Sequence, residues 1–355
     1  MQTSRDEQTQ DDLFEGVGRP DAVIESRSDR REQREHREHR ERKRNRKVLV
    51  AALVLLLLPV LAVGGYLVWL NQIVTNNVKQ ESLLPAEGPS NAAGEAVAVP
   101  AGAGTNYLII GNDGAPDRQG ARSDVMVIVH VPADRSQVQL VHFPRDLWVS
   151  IPGKGKAKLN AAYAWGGAPL LVRTMQDLLG IKIDHVAMLG FEGFKRMTDA
   201  VGGVDVRVEE ASKGDGKVFQ KGVQHMDGET ALVFVRQRYM LSQGDISRGK
   251  RQMAFIQALM EKTLSKETLT NPLRLKDFLD AATGNLTVDQ SLDVGTMRSE
   301  AFAMRNLRSG DIRRITAPFT GFGTSPDGQS IDLVDEVKMA QLGEALRTDA
   351  MDTYQ

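Results

Sequence analysis

The chain has 355 residues, a formal net charge of −1 and no cysteine. This length allows one large or two medium domains with additional segments. The lack of cysteine excludes disulfides, thiolate zinc sites and thiol nucleophiles, and the near-zero net charge gives no indication of nucleic-acid binding.

Two segments of opposite charge begin the chain. Residues 1–26 carry seven acids and two arginines, whereas residues 27–47 carry eleven Arg or Lys against five acids. The basic segment has no apolar periodicity. We therefore predict a charged tail over residues 1–47 that is disordered or loosely helical.

A long apolar run follows the charged tail. Residues 48–70 hold 23 residues without a charge, enough for about 34 Å of helix across a hydrocarbon core of about 30 Å. The run is longer than the apolar part of a signal peptide and includes Trp69 near its end, so a retained transmembrane helix is predicted. Because the basic residues precede the run, we expect a cytoplasmic N-terminus and place residues 71–355 outside.

The rest of the chain combines a linker with one folded domain. Residues 79–105 are rich in Ala, Gly, Pro and Glu, so we interpret 71–105 as an extracytoplasmic linker and 106–355 as the domain. Apolar patterns predict strands over 106–111, 124–131, 137–143, 147–151, 184–189, 204–208 and 311–318, and helices over 168–179, 191–201, 245–264, 272–283 and 290–307. This alternation predicts an α/β fold, a three-layer α/β/α domain with a central mixed sheet.

Arginines and carboxylates are distributed along the predicted domain. So many cations with few acids suit an anionic ligand of high charge density, because Arg forks bind phosphate oxygens and Mg²⁺ takes one or two carboxylates together with substrate phosphates. The pattern therefore indicates a pyrophosphate site. Its residues are Asp113, Arg122, Asp124, Arg145, Lys158, Arg236, Arg238, Asp245, Arg248 and Gln252.

Spacing gives some of these residues a common direction. Asp113 and Asp124 flank a loop between two predicted strands and could share one Mg²⁺, although an Asx-turn and a turn cap explain them equally well. Arg236 and Arg238 share a face only on an extended segment, so we expect the helix that begins near Gly228 to end before Arg236. Scattered charge on a helical surface is the alternative.

Three residues of the next helix share one face. Asp245, Arg248 and Gln252 stand at i, i+3 and i+7, although Asp245 is also a natural N-cap.

Arg122 and Arg145 each lie beside a strand end, where an isolated arginine is usually a surface charge or a member of an ion pair. Asp146 is the candidate partner of Arg145.

Short motifs in a fixed order resemble the LytR–CpsA–Psr family of membrane-anchored envelope enzymes over roughly residues 106–330. Each motif alone is weak, but their order, their spacing and the single N-terminal anchor are together specific. The motifs are GND (111–113), RSD (122–124), FPRD (143–146), KLNAAYAWGG (158–167), DHVAMLGFEGF (184–194), AVGGVDV (200–206), DGETALVFVRQRY (227–239) and GDISRGKRQ (244–252).

The resemblance implies transfer of a glycopolymer from a polyprenyl-pyrophosphate carrier to peptidoglycan, by Mg²⁺-assisted phosphoryl transfer, with Mn²⁺ as an alternative cation. The expected partners are the carrier-linked glycan, the peptidoglycan acceptor and the membrane, with no nucleic acid. The implied metal ligands are Asp113 and Asp124, the implied catalytic residues are Arg122, Arg145, Asp245 and Arg248, and the implied pyrophosphate contacts are Arg122, Arg145, Lys158, Arg236, Arg238, Arg248 and Gln252.

Several points stay open at this level. A polyprenyl-pyrophosphate hydrolase could use the same site with water as the acceptor, and a non-catalytic envelope sensor could bind the same lipid. Asp245 could accept a proton or orient Arg248. A polyprenyl tail would need an apolar slot, and apolar helix residues are its candidates, although such residues are far more often part of a core. The candidates are Leu170, Leu171, Met175, Leu178, Met253, Ile256 and Met260.

Overall fold

The computed structural model describes residues 57–58, 61–86, 104–112 and 123–354. The predicted tail 1–47, residues 48–56 and 59–60 of the predicted span, and the segment 113–122 with Asp113 and Arg122 lie outside the described residues. No helix among the described residues is both long enough and apolar enough to cross a membrane.

The chain divides into two units, Met1–Tyr66 and Leu67–Gln355. In the first unit, residues 57–58 and 61–66 are helical. In the second unit, residues 67–77 are helical (α1). The other helices of that unit are α2 (Leu159–Leu179), α3 (Phe191–Ala200), α4 (Gly228–Arg236), α5 (Asp245–Thr263), α6 (Lys266–Leu269), α7 (Pro272–Thr283), α8 (Val294–Ala303) and α9 (Glu336–Arg347).

Among the described residues of the second unit, the strands form one large sheet and four sheets of two strands each. The strands are β1 (Lys79–Glu81), β2 (Thr105–Asn112), β3 (Ser123–Val131), β4 (Val138–His142), β5 (Trp148–Ile151), β6 (Gly155–Lys158), β7 (His185–Gly190), β8 (Val204–Val208), β9 (Ser212–Gly214), β10 (Lys217–Phe219), β11 (Gly222–Met226), β12 (Leu286–Asp289), β13 (Ile312–Thr316), β14 (Phe319–Thr324) and β15 (Ser330–Val334). The large sheet has seven strands in the order β1-β12-β7-β2-β3-β4-β13.

This sheet is mixed, as predicted. Strand β2 runs parallel to β7 and antiparallel to β3, and β4 runs parallel to β13. The ends of β2, β4 and β7 and the start of β3 therefore meet at one edge of the sheet. Residues that follow or precede these strand ends, including those of the predicted site, are brought to that edge.

Helices cover both faces of the sheet, which confirms the three layers. The alternation along β2 sends Leu108 and Ile110 into a core with α2 and α9, and Tyr107 and Ile109 toward the opposite face. On that opposite face, Met253 of α5 and the apolar residues after α8 pack on β3 and β4. The period of two in the strands thus builds two separate cores.

Two predicted helices differ clearly from the structure in their bounds. Helix α2 begins at Leu159, nine positions before the predicted start, because two helices are joined across a kink at Gly166 and Gly167. It ends as predicted at Gly180, whose φ of 65° and ψ of 32° are the left-handed conformation that glycine tolerates. The predicted helix 290–307 is shorter and follows strand β12, which was not predicted.

The predicted linker is partly structured. Residues 79–81 form β1, which pairs in parallel with β12 at the edge of the large sheet. The amide of Asn77 donates to Asp280 at 2.9 Å and holds the end of α1 against α7. This three-residue strand is polar and has no apolar alternation, so it could not be predicted from the residue pattern.

Candidate functional site

The turn after β4 presents Arg145 and Asp146 at the shared strand edge. Phe143 and Leu147 are fully buried on either side of them and fix the ends of the turn in the core. The backbone N–H of Asn160 donates to the carbonyl of Arg145 at 3.1 Å, which also ties the turn to α2. The side chains of Arg145 and Asp146 are thereby held on a short, rigid segment.

Arg145 is surrounded by three carboxylates. Its Nη1 lies 2.5 Å from Oδ1 of Asp124, and its Nε lies 3.7 Å from Asp146 and 3.4 Å from Asp245. Burial opposes the charge of Arg145, but Asp124 and Asp245 outweigh it and the pKa of this arginine is raised. The predicted ion pair with Asp146 is present, yet Asp124 is the nearer partner.

The start of α5 supplies the second cation of the cluster. Arg248 Nη2 lies 2.5 Å from Oδ1 of Asp245, the i, i+3 pair predicted from the spacing. Both side chains are almost fully buried, and burial lowers the pKa of Arg248 while it raises the pKa of Asp245. The N-cap interpretation of Asp245 is wrong, because Gly244 is the N-cap and Asp245 is the first helical residue.

A close approach of α5 to the sheet fixes the position of Arg248. A Cβ atom at Gly249 would overlap the ring of His142 in β4, so only glycine lets the two elements meet there. Burial, followed by the charge of Arg248, lowers the pKa of His142 to about 3, and the ring is therefore neutral. Gln252 donates to the carbonyl of Val235 at 3.4 Å and joins α5 to α4.

Arg236 and Arg238 reach the same site from the end of α4. Arg236 is the last helical residue, so the helix continues one position further than predicted, and the backbone becomes extended at Gln237. The guanidinium of Arg236 lies 4.7 Å from the ring centre of Phe191, and that of Arg238 donates to the hydroxyl of Tyr239 at 2.9 Å.

An apolar cavity of about 650 Å³ opens at this charged cluster. Its polar lining is Asp124, Arg145, Arg236, Arg238, Arg248 and Gln252, all of them predicted site residues. The remaining walls come from one face of the sheet and from α3, α4 and α5. They are mostly aliphatic and aromatic, with Phe191, Phe194, Leu232, Phe255, Ile256 and Met260 among them.

The candidates for the prenyl slot on α2 belong to the core, the interpretation that the sequence favoured. Leu171 and Met175 are fully buried in the core on the opposite face of the sheet, and Leu170 and Leu178 pack against that core. Met253 is buried in the core beneath α5. Ile256 and Met260 do line the cavity, because they lie on the side of α5 that faces it.

Lys158 lies beside this cluster but in a second cavity. Its Nζ is 2.9 Å from Oδ1 of Asp146, which connects it to Arg145. The second cavity, of about 530 Å³, is lined by Arg145, Lys158, Asn160 and two tryptophans, Trp148 and Trp165. Lys158 and Asn160 both line this cavity, Lys158 from the end of β6 and Asn160 from the first turn of α2.

Asp332 is a site residue that the sequence did not indicate. Its backbone N–H donates to the carbonyl of Asp146 at 2.9 Å, its side chain is buried and Oδ2 has no hydrogen-bond partner among the described residues. Burial, followed by the charges of Asp146 and Asp245, raises the pKa of Asp332 to about 6. The sequence around Asp332 is typical of a short strand, so its contact with Asp146 could not be predicted from it.

The carboxylates at Arg145 fit a hard divalent cation only in part. The described residues contain no group of three or more His, Cys, Asp or Glu arranged to hold a metal. Asp124 is nevertheless 29 % exposed at the cavity mouth, and carboxylate oxygens are the ligands that Mg²⁺ prefers. A cation here would take one or two protein carboxylates and complete its shell from substrate oxygens and water.

Sequence comparison identifies the family to which this site belongs. A model of the LytR_cpsA_psr family matches residues 70–348. The chain belongs to this family. It is similar to the probable cell wall biosynthesis protein LcpB of Corynebacterium glutamicum, with 32% identity over 308 residues that cover 81% of this chain and 70% of the relative.

The chain is also similar to a named transferase and to a solved structure. The polyisoprenyl-teichoic acid–peptidoglycan teichoic acid transferase TagU of Enterococcus faecalis is 35% identical over 246 residues, which cover 68% of this chain and 78% of the relative. The crystal structure of Bacillus subtilis TagV matches with a TM-score of 0.60 and 25% identity, over 70% of this chain and 97% of that one. The α/β fold with its mixed sheet is thus the fold of the family.

Proposed function

We propose that this chain transfers a glycopolymer from a polyprenyl-pyrophosphate carrier to peptidoglycan in cell wall assembly. The observation that carries the proposal is the position of four arginines at the mouth of an apolar cavity: Arg145, Arg236, Arg238 and Arg248. A lipid pyrophosphate has the same two parts, a compact double anion and a long apolar chain. The names of the family relatives support the same reaction class.

The prenyl chain is assigned to the cavity between the sheet and helices α3, α4 and α5. Its volume of about 650 Å³ is within the range of small-molecule sites, and the walls beyond the arginines carry almost no polar side chain. Burial of each CH₂ group there contributes about 0.8 kcal/mol, so several prenyl units supply ample binding energy. That energy orients the pyrophosphate against the arginines.

The arginines stabilise the charge of both phosphates during transfer. An acceptor sugar hydroxyl attacks the phosphorus next to the glycan, the bond from that phosphorus to the bridging oxygen breaks, and polyprenyl phosphate leaves with that oxygen. Little covalent chemistry is required of the protein, so positioning and fixed charge provide most of the rate. Asp245 holds Arg145 and Arg248 in place, and we assign it as the acceptor of the hydroxyl proton.

The metal is assigned to Asp124 together with Asp113, which lies outside the described residues. Mg²⁺, or Mn²⁺ in its place, would neutralise phosphate charge when bound. Arg122 is assigned to the same pyrophosphate by the family resemblance. Cation binding to Asp124 would release Arg145 from its 2.5 Å contact and allow its guanidinium to turn toward a phosphate.

The second cavity is assigned to the sugar part of the reactants. Two tryptophan rings line it, and the ring of Trp165 is half exposed. Lys158 and Asn160 supply hydrogen-bond donors beside them. Because Arg145 lines both cavities, a substrate bound across it would have its lipid on one side and its sugars on the other.

The charge-free run 48–70 is proposed as a single transmembrane anchor with the catalytic domain outside the cell. This places the site on the same side as peptidoglycan and the carrier-linked glycan. The basic residues 27–47 before the run support a cytoplasmic N-terminus.

The test is product analysis with the full chain in lipid vesicles, using a synthetic polyprenyl-pyrophosphate glycan with a labelled sugar and peptidoglycan strands. Transfer predicts labelled peptidoglycan and free polyprenyl phosphate in Mg²⁺, and neither in EDTA. Labelled free sugar phosphate with or without acceptor would instead identify a hydrolase. Tight binding of the substrate without any turnover would identify a sensor.

A further inference from the structure

Helix α8 is unusual in this domain because none of its residues is buried. Arg298, Ala301, Phe302 and Arg305 are all exposed and stand at i, i+3, i+4 and i+7 from the first of them. The first three lie within the helix and Arg305 lies in the turn that follows. These positions form one face, and the ring of Phe302 at its centre is 65% exposed.

This face is basic. The guanidinium of Arg305 lies 4.0 Å from the ring centre of Phe302, and Arg298 donates to the side-chain oxygen of Asn71 at 3.5 Å. Within the described part of the chain, neither guanidinium pairs with a carboxylate. Glu300, on another side of the helix, is instead paired with Arg135 at 2.9 Å. The exposed face of α8 therefore combines an aromatic ring with two positive charges.

The contact with Asn71 places this face next to the end of the apolar run. Just before Asn71, the side chains of Leu67, Val68 and Trp69 are 58%, 70% and 48% exposed, whereas Leu70 is buried. Exposed apolar side chains on consecutive positions are unfavourable in water and are typical of a helix surface that lipid covers. Arg298 therefore lies within about one helical turn of the boundary where the proposed span ends.

We propose that the Arg298–Arg305 face of α8 docks on the headgroup layer of an anionic membrane. The two guanidinium groups would contact lipid phosphates, and Phe302 would enter the interface between headgroups and acyl chains. The inference rests on the proposed anchor at 48–70. It adds a second attachment point, which would fix the rotation of the domain about its anchor and the orientation of the cavity mouth toward the membrane.

The native chain has no cysteine, so single labels are selective. We would place an environment-sensitive fluorophore at Val68→Cys, Ala301→Cys or Val337→Cys in the full chain and reconstitute each into vesicles. Val337 is an exposed residue of α9, on the opposite face of the sheet, and is the control. Quenching by nitroxide-bearing lipids would be measured with phosphatidylcholine alone and with added phosphatidylglycerol.

The proposal predicts strong quenching at positions 68 and 301 and little at 337 in anionic vesicles. Replacement of Arg298 and Arg305 by Gln should reduce the ratio of docked to undocked chains by about fivefold for each arginine, and quenching at 301 should fall accordingly. Quenching at 301 equal to that at 337, or unaffected by the two Gln substitutions, would overturn the docking face. Lack of quenching at position 68 would overturn the proposed anchor and with it the docking face. The transfer assay is a separate measurement, so failure of the docking face can be told apart from failure of the proposed reaction.

Discussion

The Nη1 atom of Arg145 lies 2.5 Å from Oδ1 of Asp124, although the two residues are 21 positions apart in the chain. The contact joins the start of β3 to the turn after β4 at the edge where four strand ends meet. In the proposed reaction both residues change partner, Asp124 to the metal and Arg145 to a phosphate. The ion pair thus keeps both side chains in position before the substrate arrives.

Replacement of Asp124 by Ala should remove metal-dependent turnover without unfolding the domain. Loss of a group that positions charge in the transition state costs on the order of 10²–10³ in rate. The side chain is 29% exposed, and ion pairs at such sites contribute about 1 kcal/mol or less to stability. Transfer assays in Mg²⁺ and thermal unfolding would measure the two effects.

Asp113→Ala should give the same loss of turnover, because the family resemblance assigns both acids to one metal. Asp277→Ala is the matched control, since Asp277 pairs only with its neighbour Lys276 among the described residues and lies far from the cluster in sequence. Full activity of both the Asp113 and the Asp124 variants in Mg²⁺ would exclude a shared metal site.

Arg236→Lys should reduce activity strongly although the charge is retained. An ammonium group cannot reproduce a bidentate fork on phosphate or the stacking of Arg236 on Phe191. The expected loss is about 1.5–3 kcal/mol, the range for hydrogen bonds to charged groups, or roughly tenfold to a hundredfold in rate.

The control for Arg236→Lys is Arg308→Lys, because Arg308 donates to nearby backbone carbonyls and does not line the cavity. It should be close to neutral. Both variants would be compared for transfer from a synthetic polyprenyl-pyrophosphate glycan. Equal activities would remove Arg236 from the phosphate site.

Asp332 should make the domain less stable as the pH rises from about 4 to about 6. Its folded pKa of about 6 is above the unfolded value near 3.9, so the folded state binds more protons in this window. The contribution of the protonated Asp332 to stability is present below its unfolded pKa and is lost as the pH rises through its folded pKa. The free energy of unfolding of Asp332→Asn, relative to that of the native chain, should therefore be larger at pH 7 than at pH 4 by on the order of 2 kcal/mol.

Urea unfolding of the native chain and of Asp332→Asn in detergent, at pH 4 and pH 7, would measure this difference. The comparison between the two chains removes the contribution of all other titrating groups. The same effect of the substitution at both pH values would show that Asp332 is not held protonated by burial.

A reporter that functions only in the cytoplasm, fused after Gln355, should give no signal. The basic segment precedes the apolar run 48–70, and the sequence has no second run of comparable length. A reporter at the N-terminus is the positive control. A strong signal from the C-terminal fusion would reverse the proposed topology.

Sequence patterns predicted the large sheet well because its inner strands are strongly apolar. The apolar, β-branched run in Tyr107–Ile110 and the apolar residues of β3 left little choice of secondary structure. The strands β5 and β8 of the small hairpins were predicted, but their partner strands, the other two hairpins, β12 and the edge strand β1 were missed because they are short and depend on backbone pairing with other segments.

The sequence predicted which residues belong to the candidate site, but not which of them contact one another. The spacing of Asp245 and Arg248 predicted their contact, since both stand on one helix face. The meeting of Asp124 with Arg145, and of Arg145 with Asp245, depends on the antiparallel order of β3 and β4 and on the close packing at Gly249. The side of the sheet that holds the cavity could not be predicted, because apolar helix faces look alike whichever face they cover.

A structure of the full chain with Mg²⁺ and a non-transferable polyprenyl pyrophosphate would test the proposed function most directly. We expect the two phosphates among Arg145, Arg236, Arg238 and Arg248, with a cation on Asp124 and the prenyl chain along Phe191, Phe255 and Ile256. A prenyl chain outside this cavity, or a pyrophosphate that contacts none of these four arginines, would contradict it.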